Sequence, residues 1–238
     1  MILIRRRAPS IAVRRRVASS SVQQQLLAMS TESTNSSDVA VTSAASTRAR
    51  VRVYTRTGDK GTSSLYNGER RAKDDATFAA LGSIDELNSF VGVARTLVGA
   101  AKSDRYGALP EQLIQIQSTL LDLGAHVATP RDASSDARVA RTVFADLVTV
   151  QLEPWIDAFD DHLPPLRNFV LPSGSVLSAH LHVCRSVTRR AEREMVPLAR
   201  AGHVDAAAAR YINRLSDYFF VAARFACQTD GATETPYR

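Results

Sequence analysis

The chain has 238 residues and a formal net charge of +6, room for one well-buried domain with a tail or for two small domains. Six of its 30 basic residues lie in residues 1–31, which hold no acid, and the other 24 are balanced by 24 Asp and Glu, so the body lacks the basic surplus of a nucleic-acid binder. Two cysteines, Cys184 and Cys227, make neither a disulfide framework nor a zinc site, and no stretch approaches the ~20 apolar residues of a membrane span.

In chain order, the first segment reads as an address. Arg5, Arg6, Arg7, Arg14, Arg15 and Arg16 cluster between short apolar patches in a serine-rich, acid-free background. That is the composition of a mitochondrial transit peptide over 1–31, the alternative being a basic tail without an address. Residues 32–50 are rich in Ser and Thr, lack periodicity and read as a disordered linker. "VRVYTR" is a brief alternating stretch, and "YTRTGDKGTSS" (54–64) follows. Two glycines bracket Lys60 and hydroxyls come after it, yet the order differs from the G-x-x-x-x-G-K-[ST] phosphate loop. "YNGERRAKDD" then reads as a polar turn.

From there the pattern is helical. A first helix is expected through 76–101, capped by Asp74 or Asp75, with Phe78, Leu81, Ile84 or Asp85, Leu87 or Asn88, and Val91 at helical spacing. A second starts near Pro110. A third covers about 137–162, bent or interrupted at Pro154. The stretch 163–175, "LPPLRNFVLPSGS", is a loop punctuated by Pro and Gly. A fourth helix spans about 178–198 and a fifth about 204–228. Short connections predict an all-α, five-helix antiparallel bundle over 51–230, preceded by an extended glycine-loop segment and followed by a tail, 231–238. Cys184 and Cys227 fall in apolar helical patterns and are expected as reduced core thiols, which suits a matrix or cytosolic compartment.

Three features carry candidate chemistry besides the glycine loop. Arg185, Arg189 and Glu192 follow i, i+4, i+7 and share a stripe of the fourth helix. A solvated charged face explains this spacing as well as a binding site does. Asn213, Arg214 and Asp217 stand among dense apolar residues in the fifth helix, where a purely solvated stripe is harder to build. Asp85 interrupts an apolar run, at a position facing the bundle, and there it needs a cation such as an arginine of the fourth helix. A loop and stripe of this kind suit a polyphosphate-bearing ligand. His126, His162, His180, His182 and His203 show no metal-ligand spacing except the i, i+2 pair His180 and His182, which point to different helix faces.

The series "YTRTGDKGTSSLYNGERRAKDD", "GSIDELNS", "FVLPSGS", "CRSVTRRAER" and "NRLSDYFF", in this order, resembles the ATP:cob(I)alamin adenosyltransferase family of the trimeric five-helix-bundle type. The resemblance spans about 54–228; "PSGS" departs from the many relatives with a second glycine there. It implies a homotrimer with active sites between subunits, transfer of the 5′-deoxyadenosyl group of ATP to cob(I)alamin, and Mg2+ with the nucleotide. It implies a nucleotide site of Thr55, Arg56, Thr57, Gly58, Asp59, Lys60, Gly61, Thr62, Ser63 and Lys73 with Arg189, Arg190, Glu192, Arg193 and Asn213. It pairs Arg185 with Asp85 near the corrinoid and sets Phe169 beneath the corrin ring, so that Asp85, Phe169, Arg185 and Arg189 act on the reaction. It also implies a mitochondrial matrix location, a reductase and an adenosylcobalamin-dependent mutase as partners, and neither nucleic acid nor membrane. Two rivals differ in class: a corrinoid carrier, which has no use for the phosphate loop, and a nucleotide-hydrolysing switch, which would need a standard one.

Overall fold

The computed structural model describes Tyr54, residues 56–101 and residues 104–238. The leader 1–31, the linker 32–50, residues 51–53 and Thr55 lie outside the described residues. A hairpin comes first, β1 (Thr62–Ser64) and β2 (Arg70–Ala72). It is followed by α1 (Ala76–Ala100), a 3-10 turn (Asp104–Tyr106), α2 (Leu109–Val127), α3 (Asp136–Arg141) and α4 (Leu147–Asp160). The chain ends with β3 (Val170–Leu171), α5 (Val176–Arg200), α6 (Ala206–Thr229) and β4 (Thr235–Pro236).

Five main helices, α1, α2, α4, α5 and α6, therefore carry the fold. Residue pairs fix their directions. Glu86 and Phe90 of α1 meet Arg190 and His180 of α5, so these two run antiparallel. Gln117 of α2 donates to the Asn88 carbonyl at 3.3 Å while Gly124 lies against Leu81, which sets α2 antiparallel to α1. Glu192 and His182 of α5 meet Asn213 and Phe220 of α6, again antiparallel. Asp146, just before α4, and Phe159 of α4 meet Arg210 and Phe225, so α4 runs parallel to α6.

The core follows the apolar stripes. Ile84, Leu87, Val91 and Val98 of α1, Leu113, Ile116, Leu120 and Leu123 of α2, and Leu181, Cys184, Ala191 and Met195 of α5 are buried. So are Ile212, Leu215, Phe219 and Ala222 of α6. Each fully buried large aliphatic side chain contributes about 1.5–3 kcal/mol. Both cysteines are free and buried, and burial pushes the Cys184 thiol up to about 12.

Caps set two of the helix starts. Asp75, extended at φ −62° and ψ 142°, accepts the Thr77 N–H at 2.8 Å. Partial burial raises the Asp75 carboxyl, but the bonds from Thr77 and the nearby Arg71 outweigh this and hold it below its ordinary value. Ser175 caps α5 by accepting the Ser178 N–H at 3.1 Å.

Two local expectations are corrected. The third helix is broken, not at Pro154, which lies inside α4, but at 142–146, leaving α3 and α4 separate. Long-range contacts hold that break. The Thr142 carbonyl accepts from His126 Nδ1 at 2.8 Å and from Arg131 at 2.9 Å, and Phe144 is buried against His126 and Tyr211. The stretch 163–175 is also more than a loop. Val170 and Leu171 pair with Pro236 and Thr235, and Tyr237 N–H donates to the Phe169 carbonyl at 2.7 Å. Arg224, 4% exposed, anchors the arrangement by binding Glu234 at 2.9 Å and the Pro164 carbonyl at 2.9 Å.

His126 and His182 are buried in the core. Burial lowers both imidazoles from the usual 6.5, reinforced by Arg131 beside His126 and Arg185 beside His182; the Thr142 carbonyl and Asp205, and Glu234, oppose it. Both are neutral in the fold and take up protons on unfolding, so acid favours the unfolded chain. The urea midpoint is expected to fall as pH drops from about 7.5 to about 5.5; a midpoint flat over that interval would contradict the neutral buried pair.

Candidate functional site

The glycine loop is a tight turn lying largely exposed to solvent. Arg56 takes a left-handed φ of 57°, uncommon without glycine, and Gly61 takes φ 74°. Asp59 N–H reaches the Arg56 carbonyl at 3.5 Å and Gly61 N–H the Gly58 carbonyl at 3.2 Å. The N–H groups of Gly58 and Lys60 have no hydrogen-bond partner among the described residues. Successive N–H groups in such a curve form an anion-binding concavity. Lys73 closes its base, donating its N–H to the Gly61 carbonyl at 2.9 Å. Its Nζ lies 3.1 Å from where a Cβ on Gly58 would stand, so a side chain there would press the ammonium a few tenths of an ångström aside. Lys60 and Lys73 form no ion pair among the described residues. Arg56 is aimed at the Tyr54 ring, 5.8 Å from its centroid.

On α5 the charged stripe is real but divided. Arg189 and Arg193 are exposed, and Arg193 donates to the Arg189 carbonyl at 3.2 Å. Arg190 is taken by Glu86 of α1. Glu192 accepts from Asn213 of α6 at 2.8 Å, joining the two helices beside a cavity of about 530 Å³. That cavity has apolar walls from Met195, Val196 and Ile212 and a polar rim from Glu192, Asn213 and Arg200. Arg214 pairs with Glu153 at 3.3 Å and Asp217 at 3.2 Å at the surface between α4 and α6; Asn213 and Asp217 are exposed rather than enclosed by their apolar neighbours.

Asp85 corrects the expectation made for it. It does not face the bundle: the buried stripe of α1 passes through Ile84 and Leu87, and Asp85, about 100° further round than Ile84, is exposed. Within the chain no cation pairs with it among the described residues, and Arg185 is not brought to it. Arg185 in turn is half-buried, its Nε is enclosed without an acceptor, and it has no carboxylate partner among the described residues. Burial, with the charge of Arg189 added, holds its guanidinium below the ordinary value.

Phe169 is 82% exposed and lines a shallow cavity of about 420 Å³ with Leu166, Arg167, Asn168 and Tyr237. It lies before the N-terminus of α5. The glycine loop lies before the N-terminus of α1, whose antiparallel packing sets it by the C-terminal end of α5. Phe169 and the loop of one chain thus stand at opposite ends of a 25-residue helix, roughly 37 Å long at 1.5 Å per residue. The serines of "PSGS" are both in use: Ser175 as cap, and Ser173 donating to Leu171 at 2.9 Å and accepting Thr235 N–H at 3.2 Å. Sequence reading missed Arg70, whose side chain binds the loop from β2 at Thr57 and Thr62. No sequence signal separates it from Arg71, since Glu69 precedes and Asp74 and Asp75 follow both arginines; the structure gives Glu69 and Asp75 to Arg71.

Among the described residues no group of three or more His, Cys, Asp or Glu is placed to hold a metal ion, and no helix is long and apolar enough to cross a membrane. The model of the family described as cobalamin adenosyltransferase matches residues 53–226. The chain is 46% identical over 186 residues to the human corrinoid adenosyltransferase MMAB, covering 78% of this chain and 73% of that one. It is 37% identical over 187 residues to a corrinoid adenosyltransferase of Bacillus subtilis, 79% and 92% of the two chains. Its fold matches a variant PduO-type ATP:corrinoid adenosyltransferase from Lactobacillus reuteri, complexed with cobalamin and ATP, with TM-score 0.70 and 37% identity over 79% of this chain and 99% of that one. With the loop, the α5 stripe and the five main helices in place, this chain belongs to the cobalamin adenosyltransferase family.

Proposed function

We propose that the protein transfers the 5′-deoxyadenosyl group of ATP to the cobalt of cob(I)alamin, giving adenosylcobalamin and triphosphate. The observation that carries the reading is the glycine loop as an open anion cradle, with the Gly58 and Lys60 N–H groups unpartnered among the described residues and the Lys73 ammonium beside Gly58. The loop from Thr55 to Ser63, with Lys73, takes the triphosphate. Glu192 and Asn213 rim the nucleoside side, and Arg189, Arg190 and Arg193 supply positive charge, Arg190 after exchanging Glu86 for phosphate. Mg2+ fits as an ion carried by the phosphates, which it favours together with one or two carboxylates; Asp59 and the hydroxyls of Thr57, Thr62 and Ser63 are the loop groups that suit it.

The chemistry asks little proton transfer of the chain. Cob(I)alamin attacks C5′ of ATP, the C5′–O bond breaks, and both electrons of that bond leave with triphosphate. No proton is removed from the nucleophile, so a general base has no task. The residues position two large substrates and stabilise charge on the leaving group. Incubation of the protein with ATP and reduced cobalamin is expected to yield adenosylcobalamin and intact triphosphate. Arg189→Ala is expected to raise the KM for ATP about 10- to 100-fold, the loss of one hydrogen bond to a charged group. Orthophosphate without adenosylcobalamin would point to a hydrolytic switch, and corrinoid binding without turnover to a carrier; either outcome overturns the reading.

Two features support active sites shared between copies in a homotrimer. Among the described residues of one chain Arg185 lacks a carboxylate and Asp85 lacks a cation, and the glycine loop and Phe169 of one chain are a helix length apart. Arg185 pairs with Asp85 of the partner subunit beside the corrinoid, and Phe169 packs beneath the corrin ring. There it excludes water and a lower ligand from cobalt and so eases reduction to cobalt(I). Asp85→Asn and Arg185→Gln should each raise the corrinoid KM, leave the ATP KM within about twofold, and be non-additive by 0.5 kcal/mol or more. Phe169→Ala should lower the share of four-coordinate cobalt(II) with ATP bound. Additive effects and an unchanged cobalt(II) spectrum would remove these residues from the corrinoid half.

The six arginines of the acid-free leader support import into the mitochondrial matrix, where a reductase supplies the reduced corrinoid and a mutase consumes the product. A fluorescent protein fused behind residues 1–40 should enter mitochondria; cytosolic retention would sink the proposal.

A further inference from the structure

The two arginines of β2 have different employment. Arg71 points toward the start of α1, where Glu69 at 2.8 Å and Asp75 at 3.6 Å neutralise it. Arg70, its neighbour, projects from the opposite face of the strand and has no acidic partner among the described residues. It reaches back into the glycine loop. One terminal nitrogen donates to the Thr57 carbonyl at 2.8 Å, to Thr62 Oγ1 at 2.6 Å and to the Thr62 carbonyl at 3.4 Å. The other donates to Ser64 Oγ at 3.3 Å. A guanidinium has a rigid fork of donors that can serve several acceptors at once, which an ammonium on a flexible stem does not reproduce.

We propose that Arg70 is the positioning residue that turns the glycine loop into a triphosphate site, by tying its carbonyls inward and fixing Thr62 as an outward hydrogen-bond donor. The reading rests on the proposed function of the loop. Carbonyl oxygens of Thr57 and Thr62 repel an anion when they point at it. Bound to Arg70 they are held away, and the Gly58 and Lys60 N–H groups are left to line the cradle. The Thr62 hydroxyl accepts from Arg70, so its own proton is directed to another acceptor, and the adjacent cation polarises it as a donor. Arg70 also keeps its positive charge close to the loop without a counter-ion among the described residues, alongside Lys60 and Lys73. These bonds from Arg70 add to the backbone bonds Asp59 to Arg56, Gly61 to Gly58 and Lys73 to Gly61 in fixing the shape of the loop.

The test compares the full-length protein with Arg70→Gln, Arg70→Lys and Thr62→Val. Inorganic tripolyphosphate, added without corrinoid, is the probe, and its binding is followed by calorimetry and by the rise in melting temperature. Arg70→Gln is expected to weaken tripolyphosphate and raise the ATP KM about 10- to 100-fold, as for a lost hydrogen bond to a charged group. The corrinoid KM and the ligand-free melting temperature should stay near the parent's. Arg70→Lys should recover only part of the loss, because it keeps the charge and loses the fork. Thr62→Val should weaken tripolyphosphate by itself and add little to Arg70→Gln, since both break one relay. Full recovery with lysine, additivity of the two losses, or unaltered tripolyphosphate binding in Arg70→Gln would each overturn the proposal. A parent protein that binds tripolyphosphate but makes no adenosylcobalamin would instead sink the functional reading and leave this one standing.

Discussion

The seam between α5 and α6 is the constraint on which the site depends. Leu181, Cys184, Ala191 and Met195 on one helix and Ile212, Leu215, Phe219 and Ala222 on the other are almost fully removed from solvent. Burial of this kind is non-directional, but close-packed side chains fix the helices in one register. That register brings Glu192 to Asn213 and opens the cavity beside them. At the start of α5 it brings Gly174 so near to α6 that a Cβ there would lie 2.6 Å from Cys227 Sγ. Gly174 also takes φ 95°, a region that L side chains rarely adopt. The approach of the Phe169 loop to the helix end is thus set by the same packing that forms the Glu192–Asn213 contact.

Around that seam the polar groups are sorted by whether one chain can satisfy them. Arg71, Arg190, Arg210, Arg214 and Arg224 each have a carboxylate within the chain. Arg70, Arg185 and Lys73 have none among the described residues, and they stand at the glycine loop and on the α5 stripe. A half-buried guanidinium such as Arg185 costs free energy while unpaired, since its desolvation is not offset. A protein that keeps such a group stores positive potential for an anionic ligand or for a second chain. An ATP:corrinoid adenosyltransferase has use for both, because its leaving group is a polyanion and its substrates are too large for one helix face.

Much of this was legible in the sequence. The apolar periodicity gave α1, α2, α5 and α6 within a few residues of their ends, and the aspartate pair before α1 contained its cap. The glycine, lysine and hydroxyl content of 54–64 singled out this loop as a candidate for binding phosphate even though it lacks the standard order. What escaped depends on partners distant in sequence. The break at 142–146 is held by His126 and Arg131, and β3 is a strand only because residues 235 and 236 return to it. Asp85 was misjudged because Ile84 and Leu87 flank it: a run of mixed residues on a helix leaves the buried direction ambiguous by one position, and one position is about 100° of rotation.

The C-terminal tail shows how such distant pairing acts on the site. Residues 234–237 bind at successive points along the Phe169 loop and its base: Glu234 to Arg224, Thr235 to Ser173, and Tyr237 to the Phe169 carbonyl. Phe169 itself remains 82% exposed, a large apolar surface offered to solvent. Exposure of that kind is unfavourable for a free side chain; here it is carried on backbone tied at the Phe169 carbonyl, at the β3–β4 pair that follows and at the Pro164 carbonyl. The result is an aromatic ring whose own carbonyl and following strand are held by the C-terminal tail. Rigidity matters for the chemistry proposed: a ring that excludes a ligand from one face of cobalt must hold its place against water and against cobalamin's own base. Ordering a mobile loop at the moment of binding would spend part of the substrate's binding energy on conformational entropy. With the frame already formed, that energy remains for bringing the cobalt and C5′ together.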